Sequence, residues 1–322
     1  MRSRAQPLGD TIGTGRDMPL GNGSPTWLRT GRRIAAKLVA ILGTVSLTIG
    51  CYLLAIRPAQ LRWGASAEEI ARPLPGDSLV KPASLLATRA TTIAARPDEI
   101  WPWIVQIGYG RGGFYGYDLI ENLGSPRGIR SAGHLVPEFQ HPWIGDRIYM
   151  SRLAYLKIHA LEPNRFLVWA SDEQPPHGAF TFAIFPIDDR HSRLLVRARL
   201  RYHWTDPLIL LDLFTEFGDH VAVPRMMQGI RDRAEGRPIE PLGVQGFEIA
   251  VWIATLLEFL AALAMIAARR HWTRAMAAAL MAGAALLFVL YARAPLWIGA
   301  IPQVPVLTAL IWAGHAGAKT GA

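Results

Sequence analysis

Leu194–Trp204 (LLVRARLRYHW) and the helical stretch Pro207–Gly236 that follows it decide the fold class. In the first, Val196, Ala198, Leu200 and Tyr202 alternate with Arg197, Arg199 and Arg201, the period-two pattern of a β-strand with unlike faces. Such an arginine stripe can lie against anionic lipid headgroups, but the reading favoured is the solvated face of an antiparallel strand. In the second, Leu210, Phe214, Phe217 and Val221 recur at helical spacing and are expected to form the apolar stripe of a long helix. Pro224 is expected to break that helix in two, because proline removes a backbone donor and clashes with the preceding turn.

Upstream, the same period recurs. Tyr155–Ala160 alternates, Arg165–Ala170 (RFLVWA) follows a Pro163-Asn164 turn, and Ala179–Phe185 (AFTFAIF) is apolar on both faces. Ser84–Ala95 (SLLATRATTIAA) adds an earlier strand. Between them Pro97-Asp98-Glu99 opens a helix, with proline in the first turn and two acids where the helix dipole favours them. Ile100, Trp103, Ile104 and Ile107 form its apolar face, Pro102 is expected to kink or delay it, and Gly108 ends it. A second short helical stretch is expected over Tyr117–Leu123. One strand, two short helices, a run of antiparallel strands and a long helix make an α+β domain, a curved sheet around a C-terminal helix.

The motifs in this order resemble the START-like superfamily, the polyketide cyclase/dehydrase and lipid-transport family. The resemblance covers Leu85 to Gly236. It rests on Ala95-Arg96-Pro97-Asp98-Glu99-Ile100-Trp101, Gln106-Ile107-Gly108, Phe114-Tyr115-Gly116-Tyr117-Asp118, Glu138-Phe139-Gln140, Gly145-Asp146 and Met227-Gln228-Gly229-Ile230. It implies a helix-grip fold with an apolar cavity between sheet and long helix, and a lipid or other hydrophobic small molecule as ligand. None of these motifs is a catalytic signature. Pro224 and the attached apolar runs depart from the simplest members.

Those runs set the context. Residues 34–56, 247–268, 275–292 and 296–314 are apolar and long enough, or nearly so, to cross a bilayer as helices; Pro302 and Pro305 make the last the weakest. The expected organisation is a disordered basic segment over 1–33, a span at 34–56, the helix-grip domain at 57–246, and spans at 247–268, 275–292 and 296–314. The first run could instead be a secretory signal, with Ala65-Ser66-Ala67 as a cleavage site, but it is longer than a signal's apolar core. The net charge of +9 over 322 residues gathers at the membrane flanks, from Arg2 to Lys37 and at Arg269, Arg270 and Arg274, while 57–240 is nearly neutral. This distribution argues against a nucleic-acid partner. By the preference of basic loops for the cytoplasmic side, the N-terminus and the turn after the second span lie inside. The domain then lies on the far face of what is read as a bacterial plasma membrane, with Lys319 bringing the C-terminus back inside.

Several constellations compete for function. Gly108-x-Gly110-x-x-Gly113 follows a helix where a dinucleotide fingerprint would follow a strand, so it is read as a tight loop. Tyr109, Arg111, Phe114, Tyr115, Tyr117 and Asp118 on that loop, with Trp143, Trp169 and Phe180 as cavity wall, are the candidate ligand contacts. The rings could equally fill the core, and Asp118 leans towards a helix cap. His134, Glu138 and His141 are interrupted by Pro137 and Pro142 and match no standard metal site, so no metal or cofactor is expected. Asp146, Glu138, His159 or Tyr202 could supply an acid–base pair, but no nucleophile motif is present. The single cysteine, Cys51, excludes an internal disulfide. Glu258 sits amid the second span, where a carboxyl needs a partner; Gln303, Thr44 and Ser46 are the candidates, and fixing helix packing is an equally good reading. Ala279 and Gly283 allow close helix contact in the third span.

Overall fold

A computed structural model describes residues 26–269, 272–292 and 299–315. Helix α1 (Thr26–Cys51) runs through a π-turn at Tyr52–Ile56 into α2 (Arg57–Leu61). It starts ahead of the apolar run, so residues 26–33, expected to be disordered, are helical with Arg29, Arg32 and Arg33 among them; residues 1–25 lie outside the described residues. Next come α3 (Ala67–Ala71), β1 (Leu85–Ile93), α4 (Pro97–Val105) and α5 (Asp118–Glu121). Then follow β2 (Arg147–Tyr149), β3 (Tyr155–Glu162), β4 (Phe166–Ala170), β5 (Gly178–Pro186) and β6 (Ser192–Leu200). The long helix α6 (Ile209–Ala234) closes the domain, and α7 (Leu242–Ala268), α8 (Trp272–Ala292) and α9 (Gln303–His315) complete the chain.

The six strands form one antiparallel sheet in the order β1-β6-β5-β4-β3-β2, with α4 and α6 on its inner face, the α+β helix-grip arrangement. One core joins them: Trp169, Phe182, Leu194 and Val196 from the sheet, Ile100 and Ile104 from α4, and Met226, Met227 and Ile230 from α6.

Three expectations are corrected here. First, Pro224 does not break its helix and Pro102 does not delay its own. α4 is continuous through Pro102 and α6 through Pro224, because packing on both sides of each proline outweighs the single lost backbone bond. Second, the outer face of β6 is not solvated. Arg197 is buried under Trp63–Ala83; its guanidinium bonds Asp77 Oδ2 (2.7 Å), Thr88 Oγ1 (2.9 Å) and the carbonyls of Arg72, Glu69 and Ile70. Several of these carbonyls belong to the C-terminus of α3, where a cation is favoured. Arg199 also reaches Asp77, at 3.2 Å. Third, the stripe Leu210, Phe214 and Phe217 points away from the sheet; Leu210 is 71% and Phe214 70% exposed. The buried face of this half of α6 is Asp212, Glu216, Asp219 and His220.

Three helices, Trp27–Leu61, Leu242–Ala268 and Trp272–Tyr291, are long and apolar enough to cross a membrane, and Gln303–Gly314 is a shorter apolar helix. Gly283 lets α8 approach α1 so closely that a methyl there would stand 2.7 Å from Thr48 Oγ1. Lys37 Nζ donates to the Ala267 carbonyl at 2.7 Å, which brings the start of α1 and the end of α7 to one level. Glu258 is buried, and with its amide nitrogen turned to the carboxylate Gln303 donates to it at 2.9 Å while accepting from Thr255 at 2.7 Å. Arg270, Lys319 and residues 296–298 of the last apolar run lie outside the described residues.

Candidate functional site

The glycine-rich loop is pinned at every aromatic residue. Gly108 and Gly113 bridge it, and Tyr115 is held at φ 61°, its hydroxyl donating to the Trp103 carbonyl at 3.1 Å. The Arg233 guanidinium lies over the Tyr115 ring at 4.3 Å, and Gly229 of α6 meets the Tyr115 backbone so closely that a Cβ would stand 2.0 Å from its oxygen. Only glycine permits that approach. Arg111 donates to the Val105 carbonyl (2.9 Å) and covers Phe139 at 4.3 Å. Tyr109 is buried and accepts from Arg152 (3.1 Å); Phe114 packs on the core. Tyr117 lies between α6 and α7: the Arg225 guanidinium covers its ring at 5.4 Å, its hydroxyl meets Glu248 at 3.0 Å and its ring meets Trp252 at 4.9 Å, the last two on α7.

Asp118 is corrected from cap to clasp. It is the first residue of α5, and its carboxylate receives the Ser131 backbone (3.1 Å), the Ser131 hydroxyl (2.5 Å) and Asn122 (3.1 Å), tying down a distant loop. Burial pushes the neighbouring Glu121 carboxyl up to about 8. Trp169 and Phe180 lie in the core around Phe182, whereas Trp143 is on the surface, 73% exposed. Of the candidate ligand contacts, Phe114, Tyr115, Trp169 and Phe180 share the one core cluster, while Tyr117 meets α7 and Trp143 stands on the surface. The polar candidates are separate too: Glu138 pairs with Arg127, Asp146 accepts the Trp143 N–H, His159 is an exposed bulge residue, and Tyr202 is buried beside Leu85 and Leu200.

The constellation that sequence reasoning missed lies under the first half of α6. Arg89 pairs with Val196 across the sheet and so points inward, fully buried. Its Nη2 donates to Asp219 Oδ2 at 2.6 Å and lies 2.9 Å from His220 Nδ1; its Nε donates to the Gln60 carbonyl at 3.0 Å. A guanidinium can only donate, so His220 Nδ1 accepts and Nε2 carries the proton towards Glu216 Oε1, 3.1 Å away. Glu216 also holds Arg57, at the head of α2, so the chain of charges ends where the first apolar helix meets the domain. Burial pushes the Asp219 carboxyl up, but the Arg89 charge and the hydrogen bond from its guanidinium hold it below its ordinary value. Glu216 is lowered in the same way, burial being outweighed by His220 and Arg57.

Arg89 Nη1, Asp219 Oδ1 and Gln60 Oε1 are buried without partners among the described residues, in one connected cluster. Buried polar atoms are nearly always paired, so three unpartnered ones on linked residues set this cluster apart from the apolar core around it. A signal for this existed in the sequence. Arg89 interrupts a strand of small and β-branched residues, and Glu216, Asp219 and His220 share one helix face.

No protein-family model and no curated protein matches the chain. Among solved structures it is similar to a polyketide-cyclase-like protein from Corynebacterium glutamicum, at 14% identity over 47% of this chain and 91% of that one, TM-score 0.31. A Mesorhizobium loti protein gives 18% identity over 47% and 98%, TM-score 0.28, and a conserved protein of unknown function from Enterococcus faecalis 13% over 47% and 74%, TM-score 0.28. The strand order and the closing helix of this chain carry its fold by themselves.

Proposed function

We propose that the chain is a membrane-anchored helix-grip protein that binds an amphipathic or apolar molecule taken from the bilayer. The observation that carries this reading is the reversed polarity of the first half of α6. Asp219 and His220 meet Arg89 inside the domain and Glu216 meets Arg57 at the end of the first apolar helix, while Leu210, Leu211, Phe214 and Phe217 face outward. An exposed apolar helix face on a membrane-anchored domain suits acyl chains, and the buried polar cluster behind it suits a ligand's head. Tyr117, Glu248 and Trp252 clamp the domain to α7, which keeps the grip at the membrane. The N-terminus and the turn between α7 and α8 lie on the cytoplasmic side of a bacterial plasma membrane and the domain on the other. Arg29, Arg32 and Arg33 at one helix start and Arg269 and Arg274 at the turn support this, and the Lys37–Ala267 bond supports their sharing a side.

An imidazole between two carboxylates is also the equipment of acid–base catalysis, so a cyclase- or dehydratase-like reaction at the same cluster is the second reading. The full chain, extracted gently from its native membrane, should carry a small apolar molecule at about one per chain by mass spectrometry. Arg89→Met/Asp219→Leu, which removes both charges at once, should keep the fold and lose the molecule. Equal occupancy in the folded double variant, or none in the wild type, contradicts the reading.

A further inference from the structure

A second cluster stands at the start of α6, apart from Arg89 and outside every motif considered above. Gly178 pairs with Leu200 where β5 begins and β6 ends, and Arg201 N donates to the His177 carbonyl at 2.9 Å. That pairing stacks the imidazoles of His177 and His203, whose ring centres are 4.0 Å apart at 17°. The first turns of α6 then bring Asp212 beneath them. Its Oδ1 lies 2.9 Å from His177 Nε2, and its Oδ2 lies 3.0 Å from His203 Nδ1 and 2.6 Å from the His203 backbone nitrogen. Asp212 is almost wholly buried, while His177 and His203 keep their edges towards solvent, so the cluster has a rigid floor and an open side.

We propose that His177, His203 and Asp212 bind a divalent transition metal, zinc being the ion whose preferences they fit best. One donor atom from each residue lies within 4.8 Å of the other two. Zinc takes imidazole nitrogen at about 2.0–2.1 Å and carboxylate oxygen at about 2.0–2.2 Å, so tetrahedral ligand atoms stand about 3.3 Å apart. The separations of 2.9 and 3.0 Å run to different oxygens of Asp212, so one of those oxygens and the two ring nitrogens, all within 4.8 Å of one another, settle to about 3.3 Å around the ion. Two imidazoles favour zinc and its neighbours over calcium or magnesium, which take oxygen ligands. Three protein ligands leave the fourth position free, the pattern of metal sites that hold water or an exchangeable ligand. Binding turns both ring nitrogens from donors to Asp212 into lone-pair ligands, each imidazole keeping its single proton on the other nitrogen.

The test uses the full chain in detergent, stripped with chelator and then titrated with cobalt(II), with zinc as competitor. The expected result is one cobalt per chain, visible d–d absorption bands, and their loss on adding zinc. Asp212→Asn and His203→Ala should each weaken cobalt binding at least tenfold, while His191→Ala, at an exposed histidine elsewhere, should leave it unchanged. Absence of the bands in folded wild type, or equal binding by folded His203→Ala, overturns the site. If either variant fails to fold, the wild-type titration decides alone. Ligand occupancy at Arg89 is read separately, so the two proposals fail independently.

Discussion

Arg89→Met should destabilise the protein by about 3–5 kcal/mol, the cost of leaving a buried charge without its partner. Asp219 would then sit fully buried, facing His220 alone. Arg89→Met/Asp219→Leu should recover most of that loss, because replacing both ends of a buried pair by apolar groups is often neutral. Thermal melts of the three proteins in one detergent check this. The pH dependence follows from the same cluster. The carboxyls of Asp219 and Glu216 are held below their ordinary values in the folded state, so the stability they contribute is present above the unfolded carboxylate range. It is lost as pH falls through their lowered folded values. Wild-type melting temperature should therefore drop more steeply than that of the double variant below about pH 4. Parallel curves would mean that the pair contributes nothing.

The second large effect is expected at Arg197→Met, about 1–3 kcal/mol, the cost of leaving buried acceptors without their donor. The substitution leaves Asp77 with Arg199 alone and strips the carbonyls of Glu69, Ile70 and Arg72 of their donor. The cover formed by residues 63–83 should then loosen. Limited proteolysis should cut in that segment first, and protection there equal to wild type would refute the role.

These two arginines show where the sequence was readable and where it was not. The strands over β1 and β3–β6, the helix opened by Pro97-Asp98-Glu99 and the long closing helix stand out by period and punctuation. Arg197 was misjudged because α3 is five residues long and polar, too short for any period to reveal that it covers the outer face. Helical spacing resolved two faces on α6 but not their orientation. Leu210 and Phe214 form the more hydrophobic side, and in water they would be turned inward; the buried Arg89 reverses the choice. The loop aromatics were found in sequence, but whether they line a mouth or fasten the loop depends on Arg233, Gly229 and α7, all remote in the chain. His177, His203 and Asp212 meet only through the β5–β6 register, which local pattern does not encode.

The central claim is that the first half of α6 lies against lipid. It is tested most directly by replacing Cys51 with serine and placing single spin-labelled cysteines at Leu210 and Phe214 in bilayer-reconstituted protein. Leu47, within α1, serves as the lipid-facing reference and the exposed loop residue Leu153 as the aqueous one. Collisions with oxygen, which concentrates in acyl chains, should dominate at Leu210 and Phe214 as they do at Leu47. Collisions with a water-soluble nickel chelate dominating there, as at Leu153, would place the helix in water and contradict the account.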